Sequence, residues 1–225
     1  MSVLPYWERA CRELTQRDET LGALIAEHAG DRLRGSGDGF RTLLNAIVGQ
    51  QISVAAAAGI WTRLIEAFPA PSPAQLADAN ASELRELGLS WRKAEYVIGI
   101  AEAFVSGAVD PARWTAYDDR AVRAELTELR GVGRWTADMI LIFYLHRPDV
   151  LPLGDIGLVN AAARLYHAAG SDAAGSDADV GERGDRRSLR ARQSWLEAHA
   201  ERWRPWRTVA TWYIWRDLDA EPVVY

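Results

Sequence analysis

Cysteine and lysine are nearly absent from this chain of 225 residues: Cys11 is the only cysteine and Lys93 the only lysine. One thiol excludes an internal disulfide framework, a four-cysteine zinc site and a cysteine-ligated iron–sulfur cluster. No apolar run approaches the roughly 20 residues that cross a bilayer. The opening MSVLPYWERACRE carries no apolar signal-peptide core. The expectation is a cytoplasmic protein without membrane contact. Strand-like alternation is missing as well, and apolar residues recur at helical spacing throughout, which predicts an all-α fold. Composition is that of a globular chain, 48% hydrophobic and 25% charged. The net charge of −5 speaks against a polyanionic partner. The cations are otherwise all arginine, which suits bidentate phosphate contacts but also follows from codon usage in an alanine-rich chain.

Helices are expected around Leu14 and Leu21–Ile25, then from Phe40 to Val48 after a glycine-rich loop in which Asp38 is a cap. Ser53 opens another helix, PAPSP (69–73) is a connector, and Asn80 with Glu83 forms a capping pair. A helix is predicted from about Trp91 to Val105, ended by the loop GAVDP (107–111), and an apolar one from Trp135 to about Leu145. The segment 168–187, with two copies of AAGSD, reads as a flexible insertion. The last helices are rich in tryptophan.

Chemistry concentrates in LTELRGVGRWTADMILIFYLHRPDVLPLGDIGL (126–158). Two helices meet there through Gly131-Val132-Gly133. Glycines at such a turn permit positive φ and close approach of another backbone, and the next helix start presents N–H groups to an anion. Arg134 and Thr136 add side-chain donors. A purely structural turn reads the same residues equally well. Asp155, between Gly154 and an apolar helix start, is either an N-cap or a carboxylate held ionised at a helix N-terminus to face developing positive charge. Trp135 and Trp215 are either core residues or aromatic faces for a ligand.

LRGVGRWTADMIL followed by LPLGDIGL resembles the helix–hairpin–helix DNA glycosylase superfamily, and within it the AlkA-like 3-methyladenine DNA glycosylase II family. LLNAIVGQQISVAAA (43–57), GLSWRKAEY (88–96) and ERWRPWRTVATWYIW (201–215) fit the same family in order. The resemblance implies an enzyme of base excision repair that flips an alkylated purine, such as 3-methyladenine or 7-methylguanine, out of double-stranded DNA and hydrolyses its N-glycosidic bond. It makes Asp155 the catalytic carboxylate and Gly131, Val132, Gly133, Arg134 and Thr136 the phosphate-gripping hairpin. It places Trp135, Trp215, Met139 and Ile156 around the base. Met139 and Ile156 stand where better-known members carry aromatics, so the implied pocket is less aromatic. Gln51 falls at the side chain that fills the gap left by the flipped nucleotide, or else is a polar helix-end residue. The main-chain carbonyls of Thr127, Leu129 and Val132 match a structural Na⁺ or K⁺ site, and no cofactor is implied for catalysis. Members with lyase activity carry a lysine where Trp135 stands, so water is the expected nucleophile.

The implied fold is two-lobed with a cleft between the lobes: a central lobe over 40–150 that carries the hairpin (about 120–145), and a second lobe from 1–39 plus 151–225. A monomer is expected, at work on the nucleoid. The charge objection weakens locally. From Arg183 to Arg207 eight arginines oppose three acids, while acids gather in 172–182 and 217–221. The competing expectation is a non-catalytic helix–hairpin–helix module that binds damaged or distorted duplex, which would need the hairpin but not Asp155.

Overall fold

A computed structural model describes residues 4–167 and 182–218, with backbone only at 167 and 182–187. In chain order the helices are α1 (Trp7–Arg17), α2 (Glu19–Glu27), α3 (Gly39–Gly49), α4 (Val54–Ala67), α5 (Pro73–Ala77), α6 (Ala81–Glu86) and α7 (Trp91–Val105). They continue with α8 (Pro111–Trp114), α9 (Asp119–Thr127), α10 (Arg134–Met139), α11 (Ile156–His167), α12 (Glu182–His199) and α13 (Arg207–Leu218). A π-helical stretch spans Ile140–Tyr144 and a 3₁₀ turn Ala200–Trp203. No strand occurs among the described residues, and the all-α expectation holds. None of the described helices is long and apolar enough to cross a membrane. The predicted insertion lies outside the described residues up to 181, whereas residues 182–187 already belong to α12.

The chain divides into two compact units, one formed by residues up to 33 together with 147–222, the other by 34–146. In the 34–146 unit, short polar side chains set the helix starts. Asp38, Ser53, Ser90 and Asp118 each accept a backbone N–H from three residues on, satisfying donors that a helix end leaves orphaned. Two short helices, α5 and α8, were not expected from sequence, because their prolines read as breakers. Both prolines sit at N1, where the missing N–H costs nothing. Helix α3 is central: Phe40, Leu43, Leu44, Ile47 and Val48 are all buried, and α3 packs on α4, α7 and α10. Each such side chain contributes roughly 1.5–3 kcal/mol of burial free energy. The predicted apolar helix from Trp135 is divided. After Met139 the pattern widens, and the Leu145 N–H reaches the Ile140 carbonyl at 2.9 Å, five residues back.

The other unit is organised around a buried carboxylate. Asp18 caps α2 through the Leu21 N–H and also accepts from Tyr166 Oη on α11 and Trp203 Nε1 in the 3₁₀ turn, both at 2.8 Å. Trp7 and Trp203 are fully buried, and Trp212 meets Trp7 edge-to-face at 5.4 Å. Trp203, Trp206 and Trp212 are thus core residues.

Candidate functional site

The helix–turn–helix of the 34–146 unit runs from α9 through residues 128–133 into α10. Glu128 and Leu129 tighten the end of α9 with bonds to Glu125 and Leu126, and the Val132 N–H returns to the Leu129 carbonyl at 3.0 Å. Gly131 has φ +91°, and a β-carbon there would overlap the Tyr96 ring of α7. Both facts require glycine. Gly133 differs from expectation: its φ of −98° is ordinary extended backbone, and a β-carbon would meet only open space. Its exposed position caps α10, with Arg134 also exposed. Val132 is buried and anchors the turn.

Thr136 does not face outward as a side-chain donor. It is buried, and its Oγ1 accepts a hydrogen bond from Gln50 Nε2 at 2.9 Å; the same amide donates to the Gly131 carbonyl at 2.9 Å. Gln50 in turn is held by Lys93, whose Nζ donates to the Val48 and Gln50 carbonyls at 2.7 Å each. The only lysine therefore caps the C-terminus of α3, where carbonyls and the helix dipole favour a cation. Burial pushes its ammonium below the ordinary lysine range. The sequence marks Lys93 only as the single lysine and gives Gln50 no role, although the Gln-Gln pair was a signal. The two glutamines diverge: Gln51, with φ +56°, is exposed at the α3–α4 turn. Gln50→Ala is expected to lower stability by about 1–3 kcal/mol, because the half-buried Gly131 carbonyl and the buried Thr136 hydroxyl lose their donor. Denaturant unfolding together with faster amide exchange over 131–136 would show it; an unchanged midpoint would refute it.

Asp138 on α10 lowers the basicity of the hairpin less than its formal charge suggests. It is buried, paired with Arg123 Nε at 2.7 Å, and its carboxyl is pushed up by burial against the pull of Arg123. The exposed side chains of the hairpin include Arg130 and Arg134. Arg130 reaches Glu95 at 2.9 Å and lies over the Tyr96 ring.

Asp155 belongs to the other unit, at the start of α11. Its Oδ1 accepts the Leu158 N–H at 2.7 Å, and its carbonyl accepts the Val159 N–H. The capping and charge-bearing readings are therefore compatible in one side chain. Ile156 beside it is 56% exposed, unusual for an isoleucine. The segment leading to Asp155 is fastened repeatedly. Asp149 is gripped by Arg204 at 2.7 Å and Arg207 at 2.6 Å, and Thr208 Oγ1 links the Arg147 carbonyl to the Val150 N–H.

Of the remaining predicted site residues, Trp215 lies half-buried on α13 in the Asp155 unit. Trp135 and Met139 lie on α10 in the hairpin unit, Trp135 half-buried and Met139 only 1% exposed. The Leu129 carbonyl accepts the Val132 N–H, and Thr127 Oγ1 turns back to the Arg123 carbonyl. No group of three or more His, Cys, Asp or Glu side chains suited to a metal occurs among the described residues.

Comparison with known proteins bears on this arrangement. A profile of the HhH-GPD superfamily base excision DNA repair proteins matches residues 44–179. The chain is 30% identical over 220 residues to DNA-3-methyladenine glycosylase 2 of Escherichia coli, covering 90% of this chain and 66% of that protein. It is 27% identical over 208 residues to DNA-3-methyladenine glycosylase 1 of Schizosaccharomyces pombe, covering 90% and 82% respectively. Two Bacillus subtilis relatives are likewise matched over 66% of their length. Among solved structures, the Schizosaccharomyces pombe 3-methyladenine DNA glycosylase in complex with abasic DNA superposes with a TM-score of 0.75 at 26% identity, over 92% of this chain and 95% of that one.

Proposed function

The chain belongs to the HhH-GPD superfamily of base excision DNA repair proteins, and on that premise we propose that it is a monofunctional DNA glycosylase hydrolysing the N-glycosidic bond of alkylated purines such as 3-methyladenine and 7-methylguanine. The observation that carries this reading is Asp155. A carboxylate fixed by the Leu158 N–H at a helix N-terminus, beside an exposed apolar residue, is what a cleaving sugar needs nearby. As the bond to the base breaks, the sugar gains oxocarbenium character, and a fixed negative charge stabilises it more than it stabilises the substrate. The same carboxylate orients the attacking water.

Purines alkylated at N3 or N7 carry positive charge in the ring. They leave without a dedicated acid and gain a cation–π component against an indole, Trp215 in the Asp155 unit or Trp135 in the hairpin unit. Ile156, exposed next to Asp155, is a further apolar contact for the base, whereas Met139, only 1% exposed, is a core residue of α10 and not part of an open pocket. The hairpin grips DNA without reading sequence, through the N–H groups of Gly131, Gly133 and Arg134 and the side chains of Arg130 and Arg134. Thr136 contributes indirectly, through Gln50. Gln51 fills the space left by the flipped nucleotide. The carbonyls of Thr127, Leu129 and Val132 are suited to a monovalent cation, which would tie a DNA phosphate to the turn and take no part in bond breaking.

Monofunctional action is supported by Trp135, which stands where lyase members carry a lysine, and by the position of Lys93. A Schiff-base nucleophile must reach the sugar, and the Lys93 Nζ donates to the Val48 and Gln50 carbonyls at the end of α3. The test is a panel of duplexes carrying 3-methyladenine, 7-methylguanine, 1-methyladenine or ethenoadenine, assayed for base release with and without borohydride. Release of one or more of these bases with no covalent protein–DNA adduct is expected. A trapped adduct would overturn the monofunctional assignment, and no release from any duplex would overturn the enzyme itself.

A further inference from the structure

The loop that delivers Asp155 has one fastening from an element outside the machinery described so far. Gln193, half-buried on α12, donates from Nε2 to the Leu153 carbonyl at 2.8 Å. Between that carbonyl and the carboxylate the chain makes one tight turn. The Leu153 N–H bonds the Leu151 carbonyl at 3.0 Å, and the Asp155 N–H bonds the Pro152 carbonyl at 2.9 Å. Upstream, the segment is already held by Thr208 and by the two arginines on Asp149. Downstream, Asp155 is held by its own cap bond to Leu158. Gln193 holds the carbonyl two residues before the carboxylate, where the main chain must stop and reverse.

We infer that Gln193 is a positioning residue for Asp155, fixing the 153–155 turn so that the carboxylate stands at one place and angle relative to the sugar. The inference rests on the glycosylase reading for its kinetic consequence, but the contact itself does not. A primary amide is well suited to the task. It carries an N–H donor on a side chain long enough to span from α12 to the loop. A neighbouring Gly157, at which a β-carbon would stand 3.2 Å from Asp155 Oδ1, keeps the other side of the carboxylate uncrowded. Because rate depends steeply on placement, loosening of this turn acts on the chemical step and leaves duplex binding to the hairpin untouched.

Two variants separate the hydrogen bond from simple packing. Gln193→Met keeps volume and removes the donor; Gln193→Lys keeps a donor long enough to reach the same carbonyl. Release of 3-methyladenine and 7-methylguanine from dimethyl-sulfate-treated duplex DNA is measured under single-turnover conditions, with protein concentration varied. For Gln193→Met, the maximal rate is expected to fall about tenfold while the half-saturating concentration stays within about twofold. Amide exchange over 153–158 is expected to quicken. Gln193→Lys is expected to recover most of the rate. A Gln193→Met rate within twofold of the unaltered chain overturns the inference, as does equal loss in both variants. Should the unaltered chain release no base, the glycosylase reading fails by itself. Exchange then decides the contact: unaltered protection over 153–158 in Gln193→Met overturns it.

Discussion

Asp155→Asn is expected to cut base release by about a thousandfold, the scale set by losing a preorganised charge at a reacting centre, while binding to damaged duplex changes by no more than about twofold. The substitution is informative because asparagine caps helices about as well as aspartate. Its side-chain oxygen can still accept the Leu158 N–H now held at 2.7 Å, so the start of α11 stays in place. What disappears is the negative charge. Ground-state binding, as proposed, goes through main-chain N–H groups and arginines of the hairpin and does not use that charge. A thousandfold loss confined to the single-turnover rate, with an unchanged binding isotherm, is the expected signature. A rate within tenfold of the unaltered chain would remove Asp155 from the chemistry and leave it a cap.

The second large effect is on stability. Asp18→Ala is expected to cost about 3–5 kcal/mol, because several buried donors lose their acceptor at about 1–3 kcal/mol each. The alanine would strand Tyr166 Oη, Trp203 Nε1 and the Leu21 N–H, which now share one carboxylate. A loss below about 1 kcal/mol in denaturant unfolding would mean that water replaces the carboxylate easily. The same group predicts a pH dependence. Burial opposes ionisation of Asp18, but hydrogen bonds from Trp203, Leu21 and Tyr166, with His199 Nε2 3.7 Å away, outweigh it and hold the carboxyl at about 2. An unfolded aspartate titrates near 3.9. A depressed pKa means that the stabilisation, about 2 kcal/mol, is complete above pH 4 and drains away as pH falls from about 4 to about 2. Asp18→Ala should flatten the stability curve in that window, and an unchanged acid limb would contradict the assignment.

Local signals were legible where one residue decides an outcome. Asp38, Ser53, Ser90 and Asp118 cap helices that apolar spacing predicts, and Trp91–Val105 has the predicted bounds. The Gly131 turn and the cap at Asp155 were also readable, because each is a short-range consequence of backbone chemistry. What could not be read was reciprocal contact between residues far apart in sequence. Gln50 meets Gly131 and Thr136 more than 80 positions on, Asp18 meets Tyr166 and Trp203, and Gln193 meets Leu153. None leaves a local pattern. The apolar run after Met139 hid its change of pitch for a related reason. Ile140 to Phe143 are buried all round, so no polar face records the period.

Active-site carboxylates commonly oppose the stability of the protein that carries them, since a charge arranged for chemistry is seldom arranged for folding. Asp155 is an exception by construction, because the oxygen that accepts the Leu158 N–H belongs to the same carboxylate proposed to face the sugar. Selection for a sturdier chain and selection for a working one would then favour the same residue. At this position the familiar trade-off between robustness and activity has nothing to trade.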